Sequence, residues 1–516
     1  MPRRVDFDDC LSLRDGHLFM EEADTTELVR QFGSPLFVYS ENQLCRNVRR
    51  FRAAFQAGWP EGAVKVMPAA KANWLPAIQR ILVREGCGCD VYSPGELSIA
   101  LAAGCNPEFI SVNGFPKEPA HIRTCIEQGV RITVDSLEEV PIIDEVAAAL
   151  GRIARVRLRI KAPLSGFIRH SEFVAEGLVP TDLAALVYKN GLTFEDIVEI
   201  GPRLANSKNI EIVGFHQHNG RHRATTAYWE EQMRAYAKEI GRVCRLLGGL
   251  RPKEIDIGGG FAIPRDPFNA ATHYSEPAQL AVLHVFSKLL RPLGARVRYA
   301  ILGFLVDRIA GKPKEERAPT IESYAGACTR ALRAGLAKEG IDTRGIMLQL
   351  EPGRSMHGNA GIHLATVKSI KHVRRPIRWT VVAVDTTEFW FTGGRYEHHL
   401  HHYVFANKGN EPMTGRADIV GRSCYGDRLL PAVRIPDVEV GDILAFLDTG
   451  AYQEVSASNF NAMLRPPTVL VTGSDAFVIR RRETEDDLMR RDSMPSHLAK
   501  QPSAASQDFV EEEGKD

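Results

Sequence analysis

Between residues 63 and 352 short apolar runs alternate with longer amphipathic stretches. The runs are AVKVMPAA, GCDVY, FISVNG, RITVDS, RVRLRIKA, IEIVGFHQH, KEIDIGG and IMLQLEP, eight in all. Between them, residues 75–84, 94–103, 119–127, 137–149 and 228–247 carry apolar side chains at helical spacing. Short apolar runs rich in β-branched residues read as buried strands, and stretches with a 3.6-residue period read as surface helices. The alternation predicts βα units about a parallel sheet. Eight of them predict a (β/α)8 TIM-like barrel, an α/β fold whose chemistry collects at the C-terminal ends of its strands. Polar and glycine residues fall at those expected ends: Lys71, Asp90, Asn113, Asp135, His216, His218, Gly258, Gly259, Gly260 and Glu351.

Outside this stretch the pattern changes. Residues 1–40 hold two strand-like pieces, DGHLFMEE and SPLFVYSE, around a helical stretch at 24–32, and are expected to join a later sheet. The barrel is assigned to 41–370, with 262–323 as an insertion because it is long for one βα connection. Beyond it, IRWTVVAVD, VGDILAFLD and PTVLVTG lack intervening helices and predict a C-terminal antiparallel β domain over 371–488. Residues 489–516 are polar and low in aromatics, the composition of a disordered tail.

Composition narrows the function. The 65 basic and 64 acidic side chains of the 516-residue chain nearly cancel, so no charged field invites nucleic acid or an anionic membrane. No run of 18 apolar residues is present, and MPRRVDFDDC has no apolar stretch behind its arginines, so neither a membrane span nor a leader is expected. Nine scattered cysteines, with Cys87 and Cys89 at the wrong spacing for a C-x-x-C site, suggest reduced thiols and a cytoplasmic location. A small-molecule enzyme fits best.

Lys71, in MPAAKAN, sits among small apolar neighbours. A lysine there loses solvation and is placed to form an imine, although a loop-surface lysine looks the same in isolation. DIGGGF at 256–261 sets three glycines after a strand, where backbone N–H groups can approach an anion. It lacks the Lys-Ser/Thr of a P-loop and suits a phosphate monoester; a tight turn is the competing explanation. In EPGR, a carboxylate at Glu351 beside a pyridine nitrogen would keep that nitrogen protonated, since opposite charge favours the charged form. Arg354 is placed to pair with phosphate or a substrate carboxylate. These are the parts of a pyridoxal 5'-phosphate (PLP) site, in which a protonated ring is an electron sink for carbanion chemistry.

His216 and His218 lie two apart on one face of a strand, and one imidazole could stack on a flat ring. A metal site would need further ligands, and none stands beside them in the sequence, so no metal is expected. The run EHHLHHY (His398, His399, His401, His402) reads as a polar edge or interface. Cys424 in GRSCYGD and Tyr452 in DTGAY, taken alone, read as core or interface residues.

In order and spacing, KAN, HQHNG, GGGF, EPGR, the Ser-Cys loop ending in Gly-Asp, and GAY followed by SNFN resemble the fold-type III PLP-dependent decarboxylases, the diaminopimelate and ornithine decarboxylase group. The likeness runs from about residue 34 to residue 482. The DGHLFM opening, the long insertion after GGGF and the ending VIRRRETEDDLMRRD look closer to the branch acting on D-ornithine and D-lysine. The resemblance implies an alanine racemase-like barrel with a decarboxylase β domain. It implies Lys71 as Schiff-base lysine, His218 stacked on the ring and Glu351 at the pyridine nitrogen. Phosphate would be held by Gly258, Gly259, Gly260, Arg354 and Tyr452. It further implies a homodimer with active sites at the interface, Cys424 and Asp427 arriving from the partner subunit and the cysteine donating a proton near the α-carbon. Substrate contacts would involve Arg354, Asp427, Tyr425, Arg395 and Tyr452.

Several positions depart from that pattern. The acidic residue that normally follows the cysteine and reads a distal ammonium is Tyr425, and the loop is one residue short. The stretch that grips the distal end of diaminopimelate is replaced by TTEFWFTGGRYEHH, where Arg395 and Tyr396 are a shifted, partial match. The serine expected after H-x-x-G is Arg221, S-K-F-G is YKNG, and the tyrosine three before the lysine is Pro68. The expected activity is decarboxylation of a diaminopimelate-like or D-ornithine/D-lysine-like amino acid, with Lys71 and Cys424 as catalytic residues. A racemase of the same fold usually lacks a carboxylate at the ring nitrogen, and a non-catalytic relative typically loses the lysine or the cysteine.

Overall fold

The computed structural model describes residues 10–498 apart from 163–166, 170–177, 181–188, 219–224, 265–284, 287, 299, 302–317, 375–377 and 391–400. Each of the eight apolar runs forms a strand: β1 (Val64–Val66), β2 (Cys89–Val91), β3 (Ile110–Val112), β4 (Arg131–Val134), β5 (Ala154–Arg159), β6 (Ile210–His216), β7 (Glu254–Asp256) and β8 (Met347–Leu350). They pair in the order β1-β8-β7-β6-β5-β4-β3-β2. A parallel bridge between Ala69 and Asp90 brings the end of β1 to β2 and closes the cylinder.

Helices Pro76–Arg84, Pro94–Ala102, Pro119–Gln128, Glu139–Leu150 and Thr226–Leu246 fall where the spacing places them. Three begin with proline, whose missing N–H costs nothing in a first turn. Two end on a left-handed glycine, Gly129 and Gly151, which lets the chain turn sharply into the next strand. Helices Glu41–Gly58, Phe194–Asn206 and Ile321–Lys338 add to the surrounding layer. Among the described residues no helix is long and apolar enough to cross a membrane.

The barrel interior carries charge where branched aliphatic side chains are usual. Arg157 on β5 is fully buried and bonds Asp256 at 2.7 Å, Gln349 at 2.6 Å, Thr133 at 3.2 Å and Ser111. Arg131 pairs with Glu254 at 2.8 Å, and Gln349 donates to Glu254 at 2.9 Å. Partners on five different strands, β3, β4, β5, β7 and β8, thus converge on one axis. Losing one member of such a buried pair costs roughly 3–5 kcal/mol.

The second sheet begins at Gly361, sooner than residue 371, and it is mixed instead of antiparallel. Strand Gly361–Val373 is antiparallel to Leu36–Ser40, Trp379–Val384 and Ile443–Phe446. Trp379–Val384 runs parallel to Gly415–Val420, and Thr468–Thr472 runs parallel to Leu36–Ser40. Alternation along a strand reports which side chains face inward and says nothing of a neighbour's direction, so the sequence pattern could not separate the two cases. Of the N-terminal pieces, Leu36–Ser40 enters this sheet, whereas Leu11–Arg14, His17–Met20 and Ala23–Asp24 form a small sheet of their own. Backbone bonds Leu18 N to Ala406 O (2.7 Å) and Gly409 N to Gly16 O (2.8 Å) dock it on the large one. Much of the insertion at 262–323 and the tail from 499 lie outside the described residues.

Candidate active site

A cavity of about 600 Å³ of empty volume, its open mouth included, lies at the C-terminal ends of the barrel strands. Of the residues singled out from sequence, Lys71, Asp90, Asn113, His216, His218 and Glu351 line it. Tyr92, Glu96, Arg159 and Asn190 also line it and were missed. Arg159 had a signal: in RVRLRIKA the arginines alternate at period two within an otherwise apolar strand, which puts them inside the barrel.

Lys71 sits on a single 3-10 turn, Ala70–Ala72, just past the bridge that closes the barrel. Its two alanine neighbours are buried, and the amine opens into the cavity. Burial works against the ammonium, yet Asp90, Tyr452 and Glu351 outweigh it and hold the Lys71 amine above its ordinary value. Arg159 is held by Asp135 at 3.3 Å and donates to His218 O at 3.3 Å.

Glu351, buried at the end of β8, accepts from Asn113 Nδ2 at 2.8 Å and His216 Nε2 at 3.1 Å, with Arg157 3.7 Å away. Burial pushes His216 well below the usual imidazole value despite Asp256 nearby, so its ring is neutral and donates one N–H. His216, Asp256 and Glu351 offer atoms within 4.8 Å of one another. The fold thus supplies the carboxylates absent beside GFHQH in the sequence. Arg157, bonded to Asp256, already places a cation there, so the triad suits a guanidinium better than a metal.

Gly258, Gly259 and Gly260 leave β7 in a loop that packs against both His218 and the EPGR turn. A Cβ at Gly258 would lie 2.4 Å from Gln217 O, and one at Gly259 2.1 Å from Glu351 O. Gly259 N donates to His218 Nδ1 at 3.1 Å, and burial, with Lys71 and Arg159 near, keeps that imidazole well below its usual pKa. Phe261 anchors the loop's far end, stacked on Trp229 with centroids 4.5 Å apart. Beside the loop, the Arg354 guanidinium lies 5.2 Å from the Tyr452 ring centroid. Tyr452 N donates to Ala72 O at 2.8 Å, and a Cβ at Gly353 would meet Tyr452 Oη at 2.6 Å. An amine, a supported carboxylate and a neutral flat imidazole line one cavity, a glycine loop packs beside that imidazole, and together they fit PLP.

Cys424 and Tyr425 do not line this cavity. Both are exposed on the loop that follows strand Gly415–Val420, and Cys424 Sγ accepts from Asn461 Nδ2 at 3.2 Å. Phe389 stacks on Phe460 at 4.0 Å and meets Tyr425 edge-on at 5.9 Å. Asp427 is buried and turned inward: its carboxylate accepts from Glu388 N (2.6 Å), Ser423 N (2.7 Å) and Thr387 Oγ1 (3.2 Å). In this chain these bonds tie the loop to the 387–388 segment. Arg395, Tyr396, His398, His399 and Arg221 lie outside the described residues. His401 is buried and donates to Leu447 O at 2.8 Å, and burial pushes it down to about 4.

Residues 41–291 match the family model described as the pyridoxal binding domain of pyridoxal-dependent decarboxylases. The diaminopimelate decarboxylase of Methanocaldococcus jannaschii is 30% identical over 95% of this chain and 98% of its own length. This chain belongs to the PLP-dependent decarboxylase family. A second diaminopimelate decarboxylase, from Methanothermobacter thermautotrophicus, is 28% identical with 94% of this chain and 97% of its own covered. The crystal structure of the M. jannaschii enzyme superposes with a TM-score of 0.78 at 28% identity, covering 95% of this chain and 99% of that one. That enzyme has also been solved with L-lysine. PLP is therefore the cofactor, and the protein is an amino-acid carboxy-lyase with the barrel-plus-sheet architecture of its relatives.

Proposed function

We propose that this decarboxylase removes the α-carboxylate of a diaminopimelate-like or basic D-amino acid, in a site completed by a second copy of the chain. The observation that carries it is the placement of Lys71 and Glu351 in one cavity, with a glycine cradle at its edge. Lys71 would hold the cofactor covalently, and Glu351 would keep the ring nitrogen protonated, supported from below by His216 and Arg157. The neutral face of His218 would lie against the ring. Gly258, Gly259, Gly260, Arg354 and Tyr452 would take the phosphate. PLP, when bound, supplies the sink for the electron pair that departing CO2 leaves behind. Cys424 would return a proton to the α-carbon, and Arg354, Tyr452, Tyr425 and Arg395 would orient the substrate.

The homodimer is supported by exposure: Cys424 and Tyr425 face solvent in one chain, away from that chain's own cavity. A two-fold contact would bring each loop to the partner's cavity. No disulfide joins any of the nine cysteines, which suits a reducing compartment, and we place the enzyme in the cytoplasm.

Borohydride reduction of the holoenzyme followed by peptide mapping should find the pyridoxyl group on Lys71. An adduct on another lysine, or none, sinks the assignment. CO2 release measured over both enantiomers of basic and diamino-diacid substrates then selects the substrate.

A further inference from the structure

Asn113 follows β3 with 6% of its surface exposed. Its side-chain nitrogen donates to two different acids, Asp90 Oδ1 at 2.6 Å and Glu351 Oε1 at 2.8 Å. An amide nitrogen has two hydrogens, so each carboxylate receives one. The amide's orientation follows from its surroundings, because the reverse would turn a carbonyl oxygen onto two carboxylates. One of those acids shares the cavity with Lys71 and bridges to its strand; the other is the residue assigned to the ring nitrogen.

We propose that Asn113 is a positioning residue that bridges Asp90 and Glu351, donating one N–H to each, and so opposes protonation of Asp90 beside Lys71. The proposal rests on the roles given above to Lys71 and Glu351. Two buried carboxylates that share one donor repel each other, and without compensation one of them takes a proton. Donation to the ionised form opposes this. The two acids differ in what else supports them. Glu351 has His216 and Arg157. Asp90 faces Lys71 but also Glu96, Asp256 and Glu351, three acids, and burial together with Glu351 pushes it well above the carboxylate range. Asp90 therefore depends most on the bridge.

The consequence reaches Lys71. Its amine is held up chiefly by Asp90, then by Tyr452 and Glu351, while Arg159 acts the other way; His218 is the remaining titratable neighbour. Without the bridge Asp90 holds a proton more tightly still, Lys71 loses counter-charge, and the protonated lysine–cofactor linkage becomes less stable.

The test uses holoenzyme carrying Asn113→Leu, which removes both donors at similar size, and Asn113→Ser, which keeps one. The visible band of the lysine-linked cofactor is titrated against pH, alongside steady-state kinetics. In the Leu variant the titration midpoint should fall by about one unit or more, and kcat by about tenfold, the equivalent of one unit. KM should change by less than about threefold, since ground-state contacts are untouched. The Ser variant should fall between. An unchanged midpoint and kcat in the Leu variant overturns the proposal. Should that variant fail to fold or to take up cofactor, the Ser variant decides: an intermediate midpoint supports the bridge and a wild-type one overturns it. Borohydride mapping keeps the two levels apart, because a wild-type adduct away from Lys71 defeats the underlying assignment, whereas an adduct on Lys71 with unaltered titration defeats the bridge alone.

Discussion

Glu351 and Cys424 stand in contrasting surroundings. Glu351 accepts bonds from Asn113 and His216 and lies 3.7 Å from Arg157, all of them buried. Cys424 is exposed, and its thiol accepts from Asn461 on a neighbouring turn. The first setting is built from strand ends, whose geometry the barrel fixes, and its charges act in a low dielectric where small displacements matter. The second is a surface loop, shaped by an inward-turned Asp427 and open to whatever covers it. On the proposed function, ring chemistry would be prearranged within one chain, while proton delivery and substrate reading would await a second.

The contrast can be broken most directly at Glu351. Glu351→Gln keeps the shape but not the charge, so CO2 release should fall about 10³-fold, within the usual range for loss of a positioned acid–base group. A fall of less than tenfold would show that the ring nitrogen does not depend on this carboxylate. Next comes Cys424→Ala, expected to lower kcat about 10²-fold while leaving cofactor absorbance intact. Mixing inactive Lys71→Ala chains with Cys424→Ala chains should restore part of the activity if each cavity borrows its partner's loop. No restoration under subunit exchange would return Cys424 to a role within its own chain. The smallest effect is expected at Tyr425. Tyr425→Glu should raise kcat/KM for substrates with a distal ammonium about tenfold, some 1.4 kcal/mol, relative to uncharged analogues. An equal response across both sets would remove Tyr425 from substrate reading.

The barrel was legible because each buried strand is a short local signal, and the eight runs map onto β1 to β8. Lys71, Glu351 and the three glycines were legible for the same reason: each sits one step past an apolar run. The rest depends on pairing between distant segments. That Asn113 reaches Glu351 from 238 residues away cannot be seen along the chain, nor can the meeting of His216 with Asp256 and Glu351. The sheet's mixed direction was hidden because Leu36–Ser40 acquires one neighbour from residue 361 onward and the other from residue 468 onward. The bonds of Asp427 were hidden for the same reason: its carboxylate accepts from Ser423 N in its own loop and from Thr387 and Glu388 about forty residues earlier.

That threading of Leu36–Ser40 has a consequence for biosynthesis. The last barrel strand ends at Leu350, so a growing chain can complete the cylinder while the parallel neighbour of residues 36–40 has not yet been translated. One edge of an apolar strand must wait for more than four hundred residues before Thr468–Thr472 covers it. Nascent chains interrupted in that interval would carry a finished barrel and an open, adhesive strand, the situation in which chaperones become necessary.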